Sequence, residues 1–407
     1  MSQNKSLPKV DSHKHFELIV IGNGPAAHRL LCDLASHGHI PSSIAVVGEE
    51  QRPAYNRIML SPLLAEEIPP EQIELALPDA ILAVTKQIVG RRVLQINRHK
   101  CWIEDDQGTR YHYQKLVFAT GASPVKPSLE NRDAEGVMTF RNTRDVELMQ
   151  QTALQAKQAI VVGGGFLGLE AAEGLRKLGM TVTLLHRSAY LLNRQLDASA
   201  SNLLRQVLEQ RGLDIKTNST IKHIHAPAGR VTSVTLDNDT QLNADLVVFA
   251  LGITPNSELA KVAGMATNKG ILVDAGMQTS DNNIYAVGEC IEFEGNTYGL
   301  VAPIWDQCKV LAARLAGQIA NYQDKPIATQ LKISGIDLYS CGDISATDET
   351  AYYLDAEQKE YRRFWYAEGQ LVGAILFGNT TMSPQVSELF EATDPIIAQA
   401  SQSLAFG

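Results

Sequence analysis

Two stretches of the chain repeat one plan: an apolar strand, a glycine-rich turn and a helix that closes at a glycine. They read FELIVIGNGPAAHRLLCDLASHG at residues 16–38 and QAIVVGGGFLGLEAAEGLRKLG at residues 158–179. Such units build parallel sheets with helices on both faces. Further short apolar runs continue the alternation at residues 44–47, 115–119, 181–185, 245–250 and 284–287. The sequence therefore predicts an α/β protein with two doubly wound, Rossmann-like domains.

The first turn has the form G-x-G-x-x-A. Gly22 would allow the tight turn, Gly24 would let the backbone approach a pyrophosphate, and Ala27 would let helix and strand pack closely. Glu49 follows the next apolar run, where an acid can accept hydrogen bonds from an adenosine ribose. We therefore predict a dinucleotide site, and its candidate residues are Gly22, Gly24, Pro25, Ala26, Ala27 and Glu49.

The second turn is a full G-x-G-x-x-G. Its candidate cofactor residues are Gly163, Gly165, Phe166, Leu167 and Gly168. His186 and then Arg187 occupy the position where an acid would favour a free ribose 2′-hydroxyl. Arg187 favours NADPH if it meets a 2′-phosphate, but it could equally be a solvated arginine, so the choice between NADH and NADPH stays open.

Three more segments run a strand into a small-residue turn. KLVFATGASP (115–124) contains Ala119, Thr120 and Gly121, and DLVVFALGITPN (245–256) contains Gly252. NNIYAVGEC (282–290) ends in Gly288 and Glu289, whose amide and carboxylate could hold the pyrophosphate and ribityl part of a flavin. The order and spacing of these segments are more specific than any one of them.

The composition excludes several classes. The formal charge is −9 and there is no basic run, which argues against nucleic acid. No apolar stretch is long enough to span a bilayer and no signal-like segment begins the chain, so we expect a cytoplasmic protein with no membrane association. The five cysteines form no closely spaced pair, which argues against a zinc site, a redox-active dithiol or a local iron–sulphur cluster.

Acidic and aromatic residues concentrate at the end of the chain. Residues 326–407 hold 11 Asp and Glu against 4 Lys and Arg, and 10 of the 25 aromatic residues. This shift predicts a separate C-terminal α+β interface domain. We expect an FAD-binding domain over residues 1–122 and 245–325, an NAD(P)H-binding domain over 123–244, and the interface domain over 326–407.

In their order and spacing, these segments resemble those of the flavoprotein reductases with two dinucleotide-binding domains, the glutathione-reductase-like superfamily. Finer strings, among them YNRIMLSPLLAEE (55–67), LLNRQLD (191–197) and LKISGIDLYSCGDI (331–344), are similar to the flavoprotein half of the assimilatory nitrite reductase large subunit and to nitrate reductase flavoprotein components. The resemblance implies FAD as cofactor and NADH or NADPH as donor.

The resemblance also implies roles for single residues. Glu170 and Trp305 are expected as catalytic groups beside the nicotinamide and the flavin, although a dipole-favoured helix acid and a core aromatic are the alternatives. Arg57, Ser61, Val93 and Pro303 resemble FAD contacts. Pro62 stands where ferredoxin-reductase relatives usually carry a lysine, which favours the nitrite-reductase-like branch.

The implied function is transfer of a hydride from NAD(P)H to FAD and of electrons to a separate redox protein. The favoured acceptor is a sirohaem nitrite reductase or a molybdenum nitrate reductase. A ferredoxin or rubredoxin reductase that serves a small iron–sulphur carrier, and a non-enzymatic flavoprotein that senses NAD(P)H, are the alternatives. A homodimer is possible. The histidine pairs 13/15, 37/39 and 223/225 are interpreted as solvated or strand residues and no metal is predicted.

Overall fold

The computed structural model describes residues 14–38, 40–325, 329–333, 335–345, 349–368 and 370–391. His13 and His39 lie outside these ranges. The strands are β1 His15–Ile21, β2 Ile44–Val47, β3 Thr85–Ile88, β4 Val93–Asn97, β5 Trp102–Asp105, β6 Arg110–Phe118, β7 Ala122–Pro124, β8 Val137–Thr139, β9 Gln158–Val162, β10 Thr181–Leu185, β11 Asp214–Lys216, β12 Ile221–His225, β13 Ser233–Leu236, β14 Gln241–Asn243, β15 Leu246–Phe249, β16 Ile253–Pro255, β17 Ile271–Leu272, β18 Ile284–Ala286, β19 Ile291–Phe293, β20 Asn296–Thr297, β21 Thr329–Ile333, β22 Ile336–Gly342, β23 Glu349–Asp355, β24 Glu360–Ala367 and β25 Gln370–Phe377.

The α-helices are α1 Pro25–Ser36, α2 Leu60–Leu64, α3 Asp79–Leu82, α4 Thr143–Ala153, α5 Phe166–Lys177, α6 Ala198–Gln210, α7 Glu258–Val262, α8 Val301–Leu315 and α9 Ser383–Glu391. Single 3-10 turns lie at Arg57–Met59 and Pro70–Ile73. The chain forms two compact units. Unit 1 comprises Met1–Arg57, Glu71–Ser123 and Ile253–Asp324, and unit 2 comprises Ile58–Pro70, Pro124–Gly252 and Lys325–Gly407.

Unit 1 is built on a parallel sheet with β1 at its centre. Its order is β3-β2-β1-β6, with β18 also parallel to β6, and an antiparallel arm of β5 and β4 continues from the first half of β6. Residues Leu18–Ile21 of β1 are almost wholly buried, as expected for a parallel strand covered on both faces. The first glycine turn follows β1 directly, so it lies at the carboxyl end of the central strand, and helix α1 then packs against α8.

Unit 2 contains a second parallel sheet of the same winding. Its order is β11-β10-β9-β15-β8, and β9 again lies at the centre, before the second glycine turn. A small antiparallel sheet of β12, β13 and β14 accompanies it. The two central strands and their flanking helices therefore repeat one architecture, which confirms the fold class predicted from the glycine turns.

The C-terminal part of unit 2 is an antiparallel sheet of order β21-β22-β25-β24-β23. Helix α9 packs on β22 and β25. Buried aromatic residues supply much of its core, including Tyr339, Phe364 and Tyr366. The aromatic enrichment of the terminal segment is thus explained by a core of its own.

The predicted strand positions hold within a few residues, with one informative exception. The sequence predicts a strand over 115–119, but β6 begins at Arg110. Its first half, which pairs antiparallel with β5, alternates buried residues with more exposed ones, and only its last three residues, which lie beside β1 and β18, are all buried. The three-domain division stays a prediction; in the structure residues 58–70 and the C-terminal sheet group with the second Rossmann-like sheet.

Candidate functional site

In the first glycine turn, the fold itself requires a glycine at position 22 but not at position 24. Gly22 has φ +111°, and a Cβ there would lie 2.1 Å from the carbonyl oxygen of Ala119. Its N–H donates to Val47 O at 2.8 Å, and Ala27 is fully buried. Gly24, the N-cap of α1, has an ordinary φ of −100° and no heavy atom within 4 Å of its missing Cβ.

The second turn has the same arrangement. Gly163 has φ +128° and its Cβ would lie 2.2 Å from Ala250 O, while a Cβ on Gly168 would lie 1.8 Å from Gly163 O. Gly165, the N-cap of α5, again has open space around its missing Cβ.

The packing of the chain thus explains why positions 22, 163 and 168 must be glycine. It does not explain the glycine at the centre of each turn, Gly24 or Gly165. In both units the open space lies at a helix N-terminus, where unpaired N–H groups and the helix dipole attract anions. A cradle that a side chain would fill, in front of N–H donors, fits a pyrophosphate. The residues present therefore fit two dinucleotides, one in each unit.

Around the first turn, Glu49 is exposed and is available to a ribose. The neighbouring Glu50 is engaged, since it accepts from Tyr55 Oη at 2.8 Å and from Arg57 Nη2 at 2.6 Å. Arg57 and Arg52 also flank the ring of Tyr55, with guanidinium carbons 5.0 and 4.9 Å from its centroid. The predicted FAD contact Arg57 is therefore held in place by an acid and an aromatic ring.

The turn after β6 is fixed by Asn256, a residue that none of the sequence motifs marks as functional. Asn256 donates its amide Nδ2–H to Thr120 O at 2.8 Å, and its backbone N–H donates to Gly121 O at 2.9 Å. Thr120 Oγ1 donates in turn to Asn256 O at 2.9 Å. The sequence predicts the turn at Gly121 and the turn at Gly252, but it does not predict that Asn256 after the second would form hydrogen bonds to the first.

At the end of β18, Gly288 N–H donates to the side chain of Gln307, which is fully buried on α8. Glu289 is half-buried next to it. Pro303 is buried in the first turn of α8, and Trp305 is half-buried with the Arg29 guanidinium 5.6 Å from its ring centroid. Trp305 thus packs at the edge of the unit 1 core, close to the N-terminus of a helix.

Val93 begins β4 and is buried, close to the loop in which Gly90 N–H donates to Glu50 O and Arg91 N–H to Gly48 O. Those bonds bring the start of the antiparallel arm beside the segment that carries Glu49.

His186 does not point into solvent at the end of β10. Its side chain is 9% exposed, and Nδ1 accepts the N–H of Gly164 at 3.1 Å, inside the second glycine turn. Burial lowers the pKa of His186, so it is neutral at pH 7 and can keep this acceptor role. Arg187 is exposed, and no ion pair of its side chain occurs in the described part of the chain.

Phe166 and Leu167 are half-buried in the first turn of α5, and Gly252 is exposed after β15. Further along α5 lies Glu170, whose Oε2 accepts the hydroxyl of Ser61 at 2.5 Å. Burial raises the pKa of Glu170 above its ordinary range, and the Ser61 hydrogen bond partly offsets this. The structure therefore brings together two residues for which the family resemblance implies contacts with different cofactors.

All five cysteines are free. Cys290 and Cys308 are fully buried and donate to backbone carbonyls of Val287 and Ala26. No described helix is both long and apolar enough to cross a membrane. Across the residues that the structure describes, no three His, Cys, Asp or Glu side chains are placed to share a metal ion.

Comparison with known proteins agrees with this geometry. The family model described as pyridine nucleotide-disulphide oxidoreductase matches residues 16–312, and the rubredoxin NAD⁺ reductase C-terminal domain matches residues 328–393. A nitrite reductase [NAD(P)H] of Bacillus subtilis is 36% identical over 90% of this chain and 46% of its own length. An assimilatory nitrate reductase electron transfer subunit of the same organism is 37% identical over 90% of this chain and 48% of its own length. The chain thus spans about half the length of both relatives.

Among solved structures, the covalent complex of putidaredoxin reductase with putidaredoxin matches with a TM-score of 0.84 and 25% identity. The match covers 95% of this chain and 99% of that chain.

Proposed function

Because the chain belongs to the pyridine nucleotide-disulphide oxidoreductase family, we propose that it is an NAD(P)H-dependent FAD reductase that passes electrons to a separate redox protein. FAD with NAD(P)H as donor is what the family implies. One observation carries the proposal: each unit has a glycine turn whose central glycine faces open space at a helix N-terminus. A single-nucleotide protein would need only one such cradle.

The residues of unit 1 would hold FAD. The N–H groups at the start of α1 would bind the pyrophosphate, Glu49 the adenosine ribose, and Arg57 with the Gly288 segment the remainder of the cofactor. When bound, FAD accepts a hydride and releases its electrons one at a time. The chain itself supplies orientation and electrostatics, and the start of α5 in unit 2 would bind the pyrophosphate of the donor.

The acceptor that we propose is an assimilatory nitrite or nitrate reductase. The two Bacillus subtilis relatives named for those systems support it. A small redox carrier is the second candidate, because residues 328–393 match a domain of rubredoxin NAD⁺ reductase and a related reductase was solved in complex with putidaredoxin.

We propose NADPH as the preferred donor. His186 stands at the position where an acid would recognise a ribose 2′-hydroxyl, and its side chain is occupied with the glycine turn, while the adjacent Arg187 is exposed. An arginine there can neutralise a 2′-phosphate.

Anaerobic stopped-flow absorbance tests both points. We expect NADPH to bleach the flavin bands of the holoprotein within seconds, and Arg187→Ala to raise KM for NADPH about tenfold or more with little change for NADH. Absence of reduction by either dinucleotide would remove the reductase function and leave a sensing flavoprotein. Equal effects of the substitution on both donors would remove Arg187 from phosphate recognition.

Reduction of purified acceptors by the NADPH-reduced protein then separates the candidate partners. A sirohaem nitrite reductase, a molybdenum nitrate reductase, a ferredoxin and a rubredoxin would be compared at matched concentration. Faster reduction of the ferredoxin or rubredoxin than of both large reductases would overturn the proposed acceptor.

A further inference from the structure

The hydrogen bond between Ser61 and Glu170 joins residues far apart in the sequence. Ser61 is the second residue of α2, and Glu170 lies in the first half of α5. The separation of 2.5 Å between Ser61 Oγ and Glu170 Oε2 is at the short end for a hydroxyl that donates to a carboxylate. Both residues belong to unit 2.

Helix α2 is held on α4 and α5 by contacts on several sides. Gly174 of α5 leaves room for Leu64, since a Cβ there would lie 2.9 Å from Leu64 Cδ2. Gln150 of α4 donates its Nε2–H to Leu63 O at 2.9 Å. Lys177 of α5 forms an ion pair with Glu67, just beyond α2. The position of Ser61 is therefore fixed by packing that does not depend on its own hydroxyl.

In the described part of the chain, no Lys or Arg side chain forms an ion pair with Glu170. On α5, Glu173 pairs with Arg176 and Arg211, and Lys177 pairs with Glu67. On α4, Asp145 caps its own helix. On α2, Pro62 offers neither a charge nor a donor. Among the described residues, Ser61 is thus the hydrogen-bond donor to Glu170, and its proton occupies Oε2, which leaves Oε1 to accept from a further donor.

We propose that Ser61 is a positioning residue for Glu170, whose hydroxyl fixes the carboxylate on α5, the helix whose N-terminus would bind the donor, so that Oε1 can accept a hydrogen bond from the bound NAD(P)H. This inference rests on the proposed function. The carboxylate form is required, since a protonated Glu170 would lose acceptor capacity. Ser61 stabilises that form against the cost of burial.

The consequence is a pH dependence with a definite sign. Burial raises the pKa of Glu170 and the Ser61 hydrogen bond lowers it. Removal of the hydroxyl therefore raises this pKa further, and the acidic limb of any process that needs the carboxylate moves to higher pH. A serine that only filled space would leave that limb unmoved.

The test compares holoproteins of the wild type, Ser61→Ala, Ser61→Thr and Glu170→Gln. The pKa of Glu170 is followed by NMR of protein labelled with ¹³C at the glutamate carboxyl, and Glu170→Gln identifies its resonance. In parallel, anaerobic stopped-flow gives the limiting rate of flavin reduction against pH. We expect Ser61→Ala to retain FAD, to raise the Glu170 pKa and to lower the rate about tenfold at the pH where the wild type has lost half its maximum. Ser61→Thr should restore both values, and Glu170→Gln should lack the acidic limb.

Two results would overturn the positioning role while the reductase function stood: an unchanged Glu170 titration and rate profile in Ser61→Ala, or loss of FAD from that variant, which would make Ser61 a direct cofactor contact. Failure of NADH and NADPH to reduce the wild type would instead remove the proposed function, whatever the titration of Glu170.

Discussion

The central glycines of the two turns are the residues at which a ligand, rather than the fold, explains the amino acid. Gly22 and Gly163 adopt positive φ and lie against a carbonyl oxygen, so any side chain there would collide with backbone. Gly24 and Gly165 have ordinary φ and open surroundings. A substitution at Gly24 or Gly165 therefore tests ligand binding without disturbing the packing of the chain.

We expect Gly24→Val to leave the protein folded but unable to retain FAD, and Gly165→Val to retain FAD that dithionite reduces but NADPH does not. The physical reason is that the new side chain fills the cradle while no chain atom opposes it. Flavin content, far-ultraviolet circular dichroism and anaerobic reduction measure the three properties. Gly22→Ala is the matched control and should lower the yield of folded protein, because its Cβ would meet Ala119 O. Normal flavin content in Gly24→Val would argue against a pyrophosphate at α1.

Among the elements, α6 is tied to the C-terminal sheet through its N-cap. Asp197 Oδ1 accepts the N–H of Ala200 at 2.9 Å, and Oδ2 accepts from Tyr361 Oη at 2.5 Å and Arg363 Nη1 at 2.9 Å. Ser340 Oγ adds a hydrogen bond to Gln195 O at 2.7 Å. The LLNRQLD segment, noticed in the sequence as a family string, thus has a structural role, because its aspartate caps a helix and anchors β24.

Asp197→Ala should lower the free energy of unfolding by about 2–4 kcal/mol, because it removes a cap and leaves the buried Tyr361 hydroxyl without its acceptor. Urea denaturation of the holoprotein measures the change. Asn142→Ala removes the capping box of α4, which involves no residue of the C-terminal sheet, and should cost only about 1 kcal/mol. Equal costs for the two substitutions would mean that the contacts to β24 contribute nothing.

At the scale of the whole molecule, the free cysteines limit how electrons are stored. Cys290 and Cys308, the two in the core of unit 1, are buried hydrogen-bond donors, and none of the five is paired. The excess of acidic over basic residues in segment 326–407 belongs to the C-terminal module, whose sheet has an aromatic core of its own.

An anaerobic titration should therefore consume one equivalent of NADPH per FAD, since no dithiol is available to take a second pair of electrons. Absorbance of the flavin bands against added NADPH gives the endpoint. As a control, a titration with dithionite should reach its endpoint after the same number of electrons per FAD. A second equivalent taken up before the donor accumulates would reveal a redox-active thiol pair that these cysteine positions do not provide.

The sequence by itself determined the two Rossmann-like sheets, their glycine turns and the class of ligand, because strand periodicity and turn glycines express local rules of backbone conformation and close packing. Only the tertiary structure decided which side chains meet: Ser61 with Glu170, Asn256 with the turn at Thr120, His186 with Gly164, and Asp197 with Tyr361. These pairs form between segments brought together by sheet winding and helix packing, and a hydrogen bond between them leaves no periodic trace in the sequence.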